Sequence, residues 1–392
     1  MNALEREAAV FFHTYKRLPL EVDHGEGVYV YGADGRRYLD MFGGLAVNAL
    51  GYGHPGLLKS IQDQSHKYIH LSNYFLQEPQ LKLAELLIKH SGYERVFLSN
   101  SGTESIEGAI KLSRKWGMTR GKAEIISFSN AFHGRTMGAL SIMDKPKYRN
   151  GYEPFLQNCR VIEFNNVESL RSVVSDRTAA VVLEFLQGEG GIRPVSREFA
   201  DELSLLKKHF EFLLVADEIQ SGIGRTGTMF GFQHYSVQPD IVVVAKPLGG
   251  GLPLGAILGN EVVADVFEPG VHGTTFGGNP VACAAGIVVL QEIVEGGLMK
   301  NAERIGTLLI SELTALQKEF PSIIQEVRGL GLMVGIQLDR DGEPIVTAMR
   351  EKKVLVNCTD QTVLRFLPPL IISEQHIQDT ITALREVLTG LK

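Results

Sequence analysis

The chain has 392 residues, 44% of them hydrophobic and 21% charged, with a formal net charge of −6. That is enough for one large α/β domain and a smaller one around a sizeable core, and the mild acidity without a basic run or stripe argues against a nucleic-acid partner. Three widely spaced cysteines, Cys159, Cys283 and Cys358, argue against a disulfide framework or a CxxC metal site and fit a reducing compartment.

The stretch MNALEREAAVFFHTYKR carries Glu5 and Glu7 and no apolar core followed by a cleavage site, so neither a secretory signal nor a transit peptide is expected. The longest apolar stretch, 281–294, is interrupted by Gln291 and Glu292; no membrane span and a cytoplasmic location are expected. With no HExxH and no clustered Cys/His spacing, no metal is expected.

From Gly25, GEGVYVYGADGRRYLD reads as a β-hairpin with Asp34-Gly35 at its turn. The glycine-rich MFGGLAVNALGYGHP that follows marks a boundary near residue 50. Stretches 57–69 and 80–90 have helical spacing. From about residue 94 strands and helices alternate: 96–98, helix 103–115, 124–128, 179–185, helix 198–210, 212–216 and 241–245. Alternation of this kind predicts a mostly parallel sheet with helices on both faces. After a helix over 280–296 come a helix over 300–318, a strand pair around Gly335 and Val354, and a helix over 374–390. The expected division is 1–49 and 284–392 in a smaller α+β domain, with 50–283 as the large domain.

One stretch organises the chemistry. DIVVVAKPLGGG, from Asp240, is a short buried-type strand closed by Lys246, Pro247 and three glycines. A lysine there sits where open α/β sheets place ligands, and poor solvation lets its amine lose a proton and attack an aldehyde. A surface lysine after a strand is the plainer alternative. FLLVADEIQ ends another strand on Asp217, where a carboxylate could hold a pyridinium nitrogen protonated or pair with a backbone turn. Asn100-Ser101-Gly102-Thr103-Glu104 opens a helix, either as a phosphate site or as an ordinary N-cap. Ala131-Phe132-His133-Gly134-Arg135-Thr136 offers a ring for stacking and an arginine able to clamp a carboxylate, or a core Phe and a surface Arg. Gly222 to Gly227 match GxGxxG, but four residues separate them from the strand and no acidic ribose partner follows.

In order, SGTES, FHGRT, QGEGG, ADEIQSGIGRTG, AKPLGGGLP, HGTTFGGNP and RFLPP resemble the class III aminotransferases, which use pyridoxal phosphate on the fold type I scaffold. The likeness runs from about Tyr15 to Arg365. It implies that Lys246 is the Schiff-base lysine and Asp217 the pyridinium partner. By the same resemblance Gln220 contacts the ring hydroxyl, Phe132 stacks on the ring, and Ser101, Gly102, Thr103 and His133 complete the cofactor site. Thr275 matches a threonine that reaches the neighbouring subunit's phosphate, which implies a homodimer. Arg135 matches the substrate-carboxylate arginine, Tyr15 falls among the substrate contacts, and Glu189 and Arg365 match a pair that opens so that the arginine takes the α-carboxylate of glutamate.

Within the family, GEGVYVYGADGRRYLD and GGLAVNALGYGHP look most like acetylornithine aminotransferase. Leu45 stands where animal ornithine aminotransferases have tyrosine. Phe185 replaces a usual proline, and Pro247 follows the lysine where a small residue is common. The resemblance implies transfer of a terminal amine to 2-oxoglutarate within arginine biosynthesis. Alternatives are an ornithine, 4-aminobutyrate or aminoadipate-semialdehyde type, a class III racemase or epimerase, and, in a different class, a nucleotide-binding regulatory protein built on GxGxxG. A visible absorbance band from a lysine-bound cofactor separates the last from the others.

Overall fold

The Ile241–Val244 strand is buried along its whole length, as a valine- and isoleucine-rich strand covered on both faces must be. It lies inside a seven-stranded sheet of a computed structural model that describes residues 3–391. The strand order is Arg95–Ser99, Gly255–Gly259, Ile241–Val244, Leu213–Asp217, Thr178–Leu183, Glu124–Phe128 and Cys159–Ile162. Neighbours are parallel except that Gly255–Gly259 runs antiparallel to both of its partners. Gly255–Gly259 and the edge strand Cys159–Ile162 go beyond the elements predicted from sequence; both are short, and the first hides behind the glycine cluster that ends the lysine strand.

Alternate residues of each strand face opposite layers. Leu213, Val215, Ile241 and Val243 pack against Ile106, Ala109, Ile110 and Trp116 of the Gly102–Met118 helix. Leu214, Ala216, Val242 and Val244 belong to the cluster that holds Phe199 and Leu203 of the Arg197–Phe210 helix. Both faces are therefore covered, and polar groups of the sheet can reach a ligand at its ends. The parallel strands deliver Asn100, Ser129, Glu184, Glu218 and Ala245 at one edge, the place where such sheets bind ligands.

The predicted hairpin is present: Tyr29–Gly32 pairs with Arg37–Asp40 across the Asp34-Gly35 turn. The predicted strand pair around Gly335 and Val354 is not. Met333–Leu338 pairs with Ile324–Leu330 and Val363–Phe366, whereas Val354–Leu355 joins Arg37–Asp40 in another sheet. The two strands have similar apolar content but different partners, and pairing over such separations leaves no local trace in sequence.

The Pro280–Leu290 helix is apolar nearly all round because it is buried, packed against helices Pro55–Lys67 and Glu78–Ser91. A π-helical turn, Gln291–Glu295, follows it, and after Gly297 in the left-handed region the chain continues as Leu298–Glu319. Among the described residues no single helix is long and apolar enough to cross a membrane, although the pair Pro280–Glu295 and Leu298–Glu319, bent by 60°, passes by length and composition.

Candidate active site

Lys246 begins a 3₁₀ turn, Lys246–Gly249, with φ of +40°. A non-glycine residue in that region is strained, and such strain gathers at functional sites. The turn directs the chain into a cavity of about 350 Å³ shared by Ser101, Gly102, Thr103, Phe132, His133, Glu184, Asp217, Gln220 and Lys246. Eight of those nine were predicted from sequence; Glu184 is the addition. Desolvation lowers the Lys246 pKa to about 8, with Arg365 adding to the shift and Glu189, Asp217 and Glu184 opposing it. Among the described residues its amine has no hydrogen bond or ion pair, and a lowered pKa makes an amine of this kind easier to deprotonate.

Asp217 is buried. One carboxylate oxygen accepts a hydrogen bond from Ile219 N at 3.1 Å, and the other lies 2.7 Å from His133 Nδ1. Burial opposes a charge on His133, but the Asp217 hydrogen bond and the charges of Asp217 and Glu184 outweigh it and raise the imidazole pKa. Glu184 closes the group, accepting from Phe132 N at 3.0 Å and Gly188 N at 3.3 Å. Burial is the main cause that raises its own pKa. The arrangement holds the Asp217 carboxylate at a fixed place, between Ile219 N and the His133 ring.

Ser101 is the N-cap of Gly102–Met118, its hydroxyl accepting from Glu104 N at 3.2 Å. The capping alternative is thus real, and among the described residues it leaves the first-turn N–H groups of Gly102 and Thr103 without a partner, as an anion site needs. Two glycines shape this corner. A Cβ on Gly102 would stand 2.8 Å from Ile219, and one on Gly134, whose φ is +127°, would meet Thr103 Oγ1 at 2.6 Å.

Beyond the lysine, Arg365 is buried. It donates to Glu189 Oε1 at 2.6 Å, Gln220 Oε1 at 3.2 Å and Asn357 Oδ1 at 3.1 Å. Burial pushes the Glu189 carboxyl up, but Arg365, with Lys246 and Lys145, holds it below the usual range. Lys145 Nζ and Thr359 Oγ1 both donate to the Glu189 carbonyl. Arg135 is exposed beside Phe132. Two predicted residues lie elsewhere in the single chain: Thr275 lines a separate cavity with His70 and Tyr74, and Tyr15 is 71% exposed. Asn357, Thr359 and Lys145 were missed, since each is an ordinary polar residue until the chain is folded.

The GxGxxG match has a different use. Arg225 within it is fully buried and donates to the carbonyls of Leu332 and Pro368. A Cβ at Gly224 would meet Ile293 at 2.5 Å and one at Gly227 would meet Glu303 at 2.9 Å. These glycines allow close packing against the Leu298–Glu319 helix and its preceding turn, and they do not line the lysine cavity.

A family model described as aminotransferase class-III matches residues 10–388. The chain belongs to the class III aminotransferases. It is 44% identical over 396 residues to acetylornithine aminotransferase of Methanocaldococcus jannaschii, covering 100% of this chain and 99% of that protein. It is 43% identical to the Aquifex aeolicus acetylornithine aminotransferase, covering 96% of this chain and 99% of that one. The crystal structure of ornithine aminotransferase from Toxoplasma gondii ME49 superposes with a TM-score of 0.95 at 30% identity, covering 99% of this chain and 94% of that one. An amine transaminase from an uncultivated Pseudomonas species, in its PLP-bound form, gives a TM-score of 0.91 at 26% identity, covering 98% and 99%. The protein is a transaminase with the fold type I architecture.

Proposed function

We propose that this transaminase moves the terminal amino group of N-acetylornithine, or a similar ω-amino acid, to 2-oxoglutarate with pyridoxal phosphate as cofactor. The site's donor set fits that group. The unpartnered amine of Lys246 suits its aldehyde, and the free first-turn N–H groups of Gly102 and Thr103 suit its phosphate. Asp217 would hold the ring nitrogen protonated, Gln220 would meet the ring hydroxyl, and Phe132 would stack on the ring face. When bound, pyridoxal phosphate supplies the carbonyl carbon and a ring that takes up the negative charge left by proton loss from the substrate carbon.

This chain's residues supply the rest. Lys246, neutral once deprotonated, takes the proton from the substrate carbon at Nζ and returns it as the acid. Asp217 and His133 fix the charge that favours that transfer. Arg135 takes the carboxylate far from the reacting amine.

The observation that carries the ω-amine reading is the Glu189–Arg365 contact at 2.6 Å. An ω-amine has no carboxylate beside its reacting carbon, so Glu189 neutralises Arg365 while that substrate binds. Glutamate and 2-oxoglutarate do carry one, and Arg365 takes it when Glu189 moves away. Glu189→Ala is therefore expected to shift the preference between the two half-reactions by about tenfold or more towards glutamate, a difference of about 1.4 kcal/mol. The ω-amine half-reaction should slow, because a buried cation is left unpaired. Stopped-flow absorbance of each half-reaction decides it; equal losses in both would make Glu189 merely structural. A panel of N-acetylornithine, ornithine and 4-aminobutyrate in single turnovers identifies the preferred donor.

The lowered Lys246 pKa has a direct consequence in cofactor-free protein. The amine loses its proton as pH rises through about 8, so covalent capture of pyridoxal phosphate, trapped with borohydride and counted by mass spectrometry, should be half-maximal near there. A midpoint near the ordinary lysine value would show a solvated amine.

A homodimer in the cytoplasm, within arginine biosynthesis, completes this reading, as does the division at residues 49 and 283. Exposed Tyr74 and, two residues on, Leu76 supply an apolar surface near the loop that carries Thr275. Asn73 ties that loop down through the carbonyls of Thr274 and Gly277. In a dimer Thr275 would serve the partner's phosphate.

A further inference from the structure

Arg135 is exposed, and among the described residues it has no carboxylate partner and no hydrogen bond. Its guanidinium instead lies over aromatic faces, with its central carbon 4.0 Å from the ring centre of Tyr148 and 5.5 Å from that of Phe132. The two rings meet edge to face, centres 5.8 Å apart and planes at 78°. Face contact leaves the N–H edge of a guanidinium open, while a carboxylate partner would have consumed it.

Tyr148 sits on the short Pro146–Arg149 helix. Directly before that helix, Lys145 donates to the Glu189 carbonyl at 2.8 Å. The segment bearing Tyr148 is thus fixed to the same residue that covers Arg365. Among the described residues the Tyr148 hydroxyl makes no hydrogen bond, and burial, followed by the charge of Glu189, keeps its proton on more firmly than usual. The ring face is what the structure uses, and the hydroxyl is spare.

We propose that Tyr148 is a positioning residue that sets carboxylate specificity, its ring holding Arg135 flat beside Phe132 so that the guanidinium edge is presented to the substrate carboxylate before binding. An arginine on an unsupported chain loses much rotamer freedom when it clamps a carboxylate; one already stacked loses less. The inference rests on the reading that Arg135 takes the distal carboxylate.

The test compares Tyr148→Leu, Tyr148→Phe and Arg135→Ala in the cofactor-loaded enzyme, with three amine donors: N-acetylornithine, 5-aminopentanoate and pentylamine. The last has the chain and the amine without the carboxylate. Loss of the ring in Tyr148→Leu should raise KM for the two carboxylate donors by about fivefold to tenfold, the range of a partly desolvated cation–π contact. It should change kcat by less than about twofold and leave pentylamine kinetics within the same margin. Tyr148→Phe, which keeps the face, should restore the wild-type KM. If Tyr148→Leu alters all three donors alike, or lowers kcat with KM unchanged, the proposal is overturned and the ring is ordinary packing. If Arg135→Ala raises the carboxylate KM while Tyr148→Leu does not, the proposal fails and the role of Arg135 stands. Should Arg135→Ala leave the carboxylate KM unchanged, the carboxylate assignment itself falls, and the role of Tyr148 with it.

Discussion

Lys246→Ala is expected to lose turnover by about 10⁴-fold or more, the upper range for a single acid–base group and here joined to loss of the covalent anchor. The fold should survive, and the sign of the stability change is informative. The folded pKa of about 8 lies below the ordinary lysine value of 10.5, so between those values the unfolded chain holds more protons than the folded one. Lys246 therefore lowers stability below pH 8, and its cost fades as pH rises towards 10.5. Cofactor-free Lys246→Ala should melt no lower than the wild type at pH 7, with any advantage shrinking at higher pH. Thermal melts across that range, together with steady-state assays, check both halves; near wild-type transamination would remove Lys246 from catalysis.

Asp217→Asn should slow amine transfer by about a thousandfold, the scale of losing one preorganised electrostatic partner at a site of developing charge. Asparagine fills the same space, but it no longer favours a protonated ring nitrogen, nor does it supply the charge that keeps the pKa of His133 raised against burial. Two measurements follow. Single-turnover absorbance gives the rate, and nitrogen NMR of His133 should report an imidazole that loses its proton at lower pH in the variant than in the wild type. An unchanged rate would deprive Asp217 of this role.

Much of this site is legible in sequence because parallel strands put their last residue and the next few into one place. Lys246 and Asp217 each end an apolar run, and a polar residue there needs a reason. Glu184 ends a run too, but its worth lies in contacts with Phe132 N and the field at His133, which no local pattern encodes. Tyr148 is harder still. KPKYR has the composition of a surface loop, and only folding lays its ring under Arg135. Arg225 misleads in the opposite direction, since its glycine neighbours copy a nucleotide fingerprint while serving helix packing. In the fold, the helices and buried strands follow from periodicity, whereas the partner of Val354 does not, because pairing with Leu39 is a tertiary choice.

That pairing has a consequence for how the protein is made. Val354 and Leu355 complete the sheet of Leu39 and Asp40, Leu367 N donates to Met41 O at 2.7 Å, and Leu370 N donates to Ala49 O at 2.8 Å. The early segment around residues 39–49 is thus seamed along its length by residues that leave the ribosome some three hundred positions later. Leu39 already pairs with Tyr29 in the early hairpin, so until then it is the other edge of Leu39 and Asp40 that must stay unpaired, a task for chaperones or for polar residues nearby. The strands that present Asp217 and Lys246 can assemble well before. Arg365 arrives next to the closing seam, so a nascent chain acquires Lys246 first and, only as synthesis nears its end, the arginine proposed to take the α-carboxylate of glutamate.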